Sequence, residues 1–188
     1  MYKISIFALF IFSFLNSQYL AAQENLDPWN EYMTPTDVHT FMGKYTGNFE
    51  MEITMSRGEG QPPIVIAIPS THQMILGDRF LELKQKGDMM GIAYESVMTL
   101  GFNTTNKKMA MTTITNMGTG TLALFGQWDE VNKKATLYGS LTNPVSKQNI
   151  KVKQIIDFVD PDTLVIESYD TEGDQVEKKT VVYTFRRK

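Results

Sequence analysis

His39 and His72 are the two imidazoles of this chain. Imidazole is the side chain that most readily exchanges a proton near neutral pH, and it ligates metals as a neutral ring. Ile64, Ile66, Ile68 and Met74 occupy even positions of one apolar run, and His72 shares their parity. An inward His72 would be placed to act as a base or, as a minor alternative, to bind haem iron. His39 sits one residue off an apolar stripe and is expected to face solvent. Glu82, Glu95 and Glu167 fall within strand-like runs, where a facing pair would serve acid–base chemistry. No spacing brings two of them together. Twelve methionines are present, and Met74, Met98 and Met111 are among those placed in strands. Flexible, polarizable side chains of this kind suit an adaptable apolar pocket. Met89-Met90 and Met109-Ala110-Met111 lack the His or Cys neighbours that a soft-metal site would use. There is no Gly-x-Ser-x-Gly elbow, His-Glu-x-x-His, Walker loop or Gly-x-Gly-x-x-Gly, so no catalytic residue and no metal site are assigned. Cysteine is absent, which removes disulfides, thiolate ligands and thiol nucleophiles.

The elements that must position these residues are strands. From Asn48 to Ser56, Phe49, Met51, Ile53 and Met55 alternate with polar residues, the period of a half-buried strand. Leu81 and Leu83 alternate with Glu82 and Lys84. Ala135, Leu137 and Leu141 alternate with Thr136 and Ser140. Ile150, Val152, Ile156 and Phe158 share a face with Gln154, which makes that amide a candidate interior group. Nine turn signals separate the runs, among them Gly77-Asp78, Gly87-Asp88, Met117-Gly118, Asn143-Pro144 and Asp160-Pro161-Asp162. Nine turns delimit ten strands, with no helical stretch long enough for a parallel crossover. The expected fold is therefore all-β: a single antiparallel, mostly up-and-down barrel of about ten strands. Pro69 cannot donate to a ladder, so its strand is expected to bend, bulge or split there.

Ahead of the strands, Asp27-Pro28-Trp29-Asn30 reads as an irregular lead-in. Thr34-Pro35-Thr36-Asp37 reads as a helix start, with Thr34 as cap and Pro35 in the first turn. Val38, Phe41 and Met42 form a short apolar stripe that Gly43 terminates, so a two-turn helix should lie against a barrel end. The domain reading is 1–23 signal peptide, 24–45 lead-in and short helix, and 46–188 barrel. The leader assignment rests on Lys3, the twelve-residue apolar run Ile4 to Leu15, and small residues at Ala21 and Ala22. That run is shorter than the 20 or so residues a membrane helix needs. The expected location is periplasmic or secreted, with no membrane attachment after processing. Removing 1–23 leaves 17 basic and 21 acidic residues, a charge of −4. Such a balance offers no footprint for nucleic acid.

Four strings resemble one bacterial family, the domain of unknown function 1579. They are Trp29 to Pro35, Met74 to Phe80, Asn116 to Gly120, and Gly126 to Glu130. The resemblance runs from about Trp29 to Arg187, and it implies a lipocalin-like barrel without an established activity. Family members often have Gly-Gly-Arg where this chain has Gly77-Asp78-Arg79. Arg79 and Glu95 lie where the resemblance is strong and are the polar cavity candidates; Asn116 and Trp128 join them. Gly47-Asn48-Phe49 is similar to the Gly-x-Trp opening of lipocalin-like barrels. In those barrels a terminal arginine often covers the ring, here expected to be Arg186 over Phe49.

The functional expectation is a barrel that holds a small, largely apolar molecule. The ligand-binding candidates are His72, Met74, Arg79, Glu95, Met98, Met111, Asn116, Trp128 and Gln154. Two alternatives remain open at this point: a hydrolase or isomerase using an interior Glu or His72, and a structural or interaction protein with a filled barrel.

Overall fold

The computed structural model describes residues 27–58 and 60–188. The expected signal peptide, residues 1–23, lies outside the described residues. The chain divides between Thr34 and Pro35. In the first part, helix α1 spans Asp27–Met33. The expected irregular lead-in is thus helical, with Pro28 in the first turn, where a missing N–H costs nothing. Trp29 and Tyr32 meet edge-on at 6.0 Å, and the Thr34 hydroxyl donates to the Asn30 carbonyl.

In the second part, helix α2 spans Asp37–Gly43 and ten strands follow. They are β1 Gly47–Met55, β2 Ile64–Ile75, β3 Phe80–Met89, β4 Ile92–Asn103, β5 Lys108–Thr115, β6 Leu122–Asp129, β7 Lys134–Thr142, β8 Asn149–Asp160, β9 Thr163–Glu172 and β10 Lys178–Arg187. Each strand pairs antiparallel with its neighbours in sequence, and β10 pairs back to β1 to close the barrel. Closure leaves no free edge for pairing with another chain. The ten-strand reading of the alternation is therefore what the chain adopts.

Several local expectations change. The cap of α2 is Thr36, whose backbone N–H donates to His39 Nδ1 at 2.9 Å. His39 is consequently buried beside Phe102 rather than solvent-facing. The turn after β3 is Met90-Gly91, both with positive φ, while Gly87 and Asp88 stay inside the strand. Gly87 eases the packing there, since a Cβ would lie 3.0 Å from the Ile68 Cγ2 methyl. Asp88 caps the turn by accepting from the Gly91 N–H at 2.7 Å.

Pro69 does not interrupt β2. It sits opposite Glu50 in an unshifted ladder with β1, side chain outward. Its effect falls on the other edge, because the β2–β3 ladder stops at Ser70 opposite Gln85. Ile64 to Pro69 pair with β1 alone. A second seam opens between β6 and β7, whose ladder begins at Leu124 opposite Gly139. Both seams open toward the same end of the barrel, the one away from α2.

Candidate functional site

The barrel interior differs between its two ends. At the end where β1 starts, α2 lies across the opening with Val38, His39 and Met42 buried. Phe41 of α2 packs against Tyr45, Trp128 and Phe158 with ring centroids 5.3 to 5.8 Å apart. Below it Met51, Leu81, Leu83, Leu100, Met109, Leu164 and Phe185 are fully buried. Interdigitated side chains of this density leave that half solid.

Arg187 seals the same end. Its guanidinium stands 4.6 Å from the Phe49 ring centroid and donates to the carbonyls of Thr46, Lys44 and Pro161. A fourth bond, at 2.6 Å, reaches Asp162 Oδ1. A planar fork with fixed donors is what such a constellation requires. The expected arginine was Arg186. The register places Arg187 opposite Phe49 on the inward face, and Arg186 opposite Glu50 on the outer face.

On the inner side of Phe49 lies His72, parallel at 9° and 4.1 Å between centroids. The unbroken β1–β2 register is what turns His72 inward. Its Nδ1 contacts the Tyr45 carbonyl at 3.0 Å, and its Nε2 contacts Ser70 Oγ at 3.0 Å. A carbonyl only accepts, so Nδ1 carries the proton and Nε2 accepts from the Ser70 hydroxyl. Ser70 Oγ in turn accepts from Gln85 Nε2 at 2.9 Å, and Gln85 Oε1 accepts from the Ser96 hydroxyl at 2.5 Å. The chain of bonds runs in one direction, Ser96 to Gln85 to Ser70 to His72 to Tyr45. Burial pushes the His72 pKa down to about 4; the bond to Tyr45 opposes this and the Arg187 cation adds to it.

A serine donating to a carbonyl-anchored histidine has the form of an activated nucleophile. Here both residues are almost fully buried, and so low a pKa makes the ring a weak base. Both ring nitrogens are engaged, so ligation of iron would require giving up one of these bonds. The arrangement instead satisfies every polar atom of a buried seam, which is the condition for keeping one in a core. Ser70, Gln85 and Ser96 were not singled out from the sequence. Strand parity carries the signal: Gln85 continues Leu81 and Leu83, and Ser70 continues Ile66 and Ile68 toward His72.

The half of the interior away from α2 is built differently. Met55, Ile66, Leu122, Ile150, Val181 and Tyr183 occupy inward positions yet keep partial exposure. Gln154 and Ser168 face each other across β8 and β9, with Gln154 Nε2 donating to Ser168 Oγ at 3.4 Å. Gln154 Oε1 is buried without a hydrogen-bond partner among the described residues. One step further out on β9, Asp170 accepts from the Thr180 hydroxyl at 3.0 Å. Burial raises the Asp170 pKa, the Thr180 bond partly opposing it. Burial likewise pushes Tyr183 up to about 12, with Tyr94 and Asp170 adding to the shift.

The sequence candidates therefore separate. His72, Met98, Met111 and Gln154 are buried inside the barrel, with Met74 and Trp128 partly buried toward the closed end. Glu95 faces outward in an ion pair with Lys86 at 2.7 Å. Odd positions of β4 are outer positions, because Tyr94, Ser96 and Met98 take the inner ones. Arg79 ends the β2–β3 turn, donating to the carbonyls of Leu76 and Gly77. Asn116 pins the β5–β6 loop to β4 through the Glu95 N–H and the Ala93 carbonyl, both at 2.9 Å. None of these three lies in the interior. Among the described residues no three His, Asp or Glu side chains gather as metal ligands.

The outer wall also carries a concavity of about 680 Å³, bounded by Pro69, Thr71, Lys84, Val97, Ile114 and Asn116. Gln85 and Ser96 of the His72 seam also line it, beside the gap between β2 and β3.

The family described as a protein of unknown function, DUF1579, matches residues 34–187. The chain belongs to this family. The match takes in α2 and all ten strands, so the DUF1579 region here is the closed barrel together with the helix over one end. No curated protein matches the chain.

Proposed function

We propose that this DUF1579 barrel binds a small, largely apolar molecule in the half of its interior away from α2. The observation that carries the reading is the contrast between the two halves. Met51, Leu81, Leu83, Leu100, Leu164 and Phe185 under α2 are completely buried, whereas inward Met55, Ile66, Leu122, Ile150 and Tyr183 toward the other end are left partly uncovered by the described elements. Leaving apolar surface uncovered forfeits about 25 cal/mol for every Å². A ligand lying among these residues recovers that loss. The two seams widen the same end and supply an entrance. The His72 seam belongs to the solid half, where it fixes the floor of the cup.

The test is a titration of the purified protein with N-phenyl-1-naphthylamine, an uncharged dye that brightens in apolar surroundings. Wild type brightens the dye saturably. Leu122→Trp, which fills the cup, weakens binding by at least about tenfold while leaving the urea midpoint near wild type. Absence of brightening, or undiminished binding by a folded Leu122→Trp protein, would overturn the reading.

A further inference from the structure

The unpartnered amide oxygen and the acceptor carboxylate of the cup lie side by side on β8 and β9. Asp170, Ser168 and Gln154 form a patch on the inner face of β8 and β9, since Gln154 pairs with Ser168 and Val152 with Asp170. Gln154 is 4% exposed, its nitrogen is spent on Ser168, and its oxygen has no donor among the described residues. A buried acceptor left in this state carries a desolvation cost that only an incoming N–H or O–H can offset. Asp170 has the same need with a charge attached. Its side chain accepts from the Thr180 hydroxyl, and among the described residues it forms no ion pair. Lys178 stands opposite it in the β9–β10 register, but on the exposed start of β10. Inner-face Tyr94 on β4 and Tyr183 on β10 add two aromatic rings. The inward positions of the far half otherwise hold methionine, isoleucine, leucine and valine, with Thr113 and Thr115 of β5 as uncharged polar groups. Phenol rings and a carboxylate stabilise cations, and the ring faces do so best when water is excluded.

Resting on the apolar-cup reading, we infer that the ligand is an amphiphilic cation: an apolar body carrying an ammonium group that donates to Asp170 and Gln154 Oε1 beside Tyr183. An ammonium supplies three donors and a positive charge, which is the complement of an unpartnered amide oxygen next to a carboxylate lacking a cation. A carboxylate ligand such as a fatty acid would face Asp170 with like charge. A neutral alcohol could bond to Gln154 but would leave Asp170 unneutralised.

Displacement of N-phenyl-1-naphthylamine by octylamine, octanol and octanoate at pH 7.5 separates these cases. Octylamine is expected to displace the dye at least about tenfold more effectively than octanol, and octanoate least of all. In Asp170→Asn the dye still binds, but octylamine loses its advantage over octanol. Gln154→Leu, which removes the orphaned oxygen, reduces the advantage without abolishing it. Equal displacement by amine and alcohol, or an amine preference that persists in Asp170→Asn, overturns the cation assignment while dye binding upholds the cup. Failure of the dye to bind wild type overturns both.

Discussion

At the scale of single residues, burial decides what each polar group can do. His72 illustrates this with a consequence for stability. Its folded pKa is about 4 against an ordinary 6.5, so the unfolded chain binds the extra proton between those values. Stability is therefore full above pH 6.5 and falls as the pH drops toward 4, by as much as roughly 3 kcal/mol. His39, also lowered by burial, acts in the same direction. Asp170, raised, opposes it by losing stability as the pH rises through its folded value. Urea unfolding at pH 7 and pH 5 should show the loss in wild type and a markedly smaller one in His72→Gln. An equal loss in both would contradict the buried, neutral ring. How far such residues can be read from the sequence depends on parity alone. His72 and Gln154 were legible because each shares a period-two face with several isoleucines or valines. Glu95 was expected inside on the strength of the family resemblance, but Tyr94 and Ser96 hold the inner positions of β4 and leave it outside. Arg187 was missed by one residue, and one residue is the difference between the two faces of a strand.

Among the elements, alternation made the strands visible, and turn residues made their number visible. Turn position was less legible. Gly87-Asp88 has the composition of a turn, yet Gly87 lies inside β3, where a Cβ would press on the Ile68 side chain at 3.0 Å. Close approach of neighbouring backbone explains another glycine. A Cβ on Gly126 would lie 1.9 Å from the Thr136 carbonyl oxygen, whereas one on Gly101 would meet only the Phe80 ring at 2.7 Å. Backbone cannot yield as a ring can. Gly126→Ala should cost about 3 kcal/mol or more, and Gly101→Ala about 1 kcal/mol. Thermal unfolding of the two variants checks the order; equal losses would contradict the close β6–β7 approach. Pro69 shows an element-level effect that its own strand conceals. The proline leaves β2 straight and the inward parity of His72 intact, and ends the ladder with β3 instead. No local reading of the sequence distinguishes the two edges of a strand, because the ladder partners lie elsewhere in the chain.

Over the whole molecule, the barrel is asymmetric along its axis. One end is closed by α2, an aromatic cluster and the Arg187 fork, and its core is solid. The other end is flanked by two unpaired seams and lined by partly uncovered apolar groups around a small acceptor patch. Helix α2 was legible as an end cover from its stripe of Val38, Phe41 and Met42. That inward side chains at the other end would stay partly exposed was not, since side-chain volume summed along strands does not say which positions are covered. The most direct measurement is a crystal structure of the protein grown with N-phenyl-1-naphthylamine. The account predicts ring density inside the barrel, among Met55, Ile66, Leu122 and Tyr183. Ring density confined to the outer concavity by Pro69, Val97 and Ile114, or an interior filled by the protein's own side chains, would contradict it.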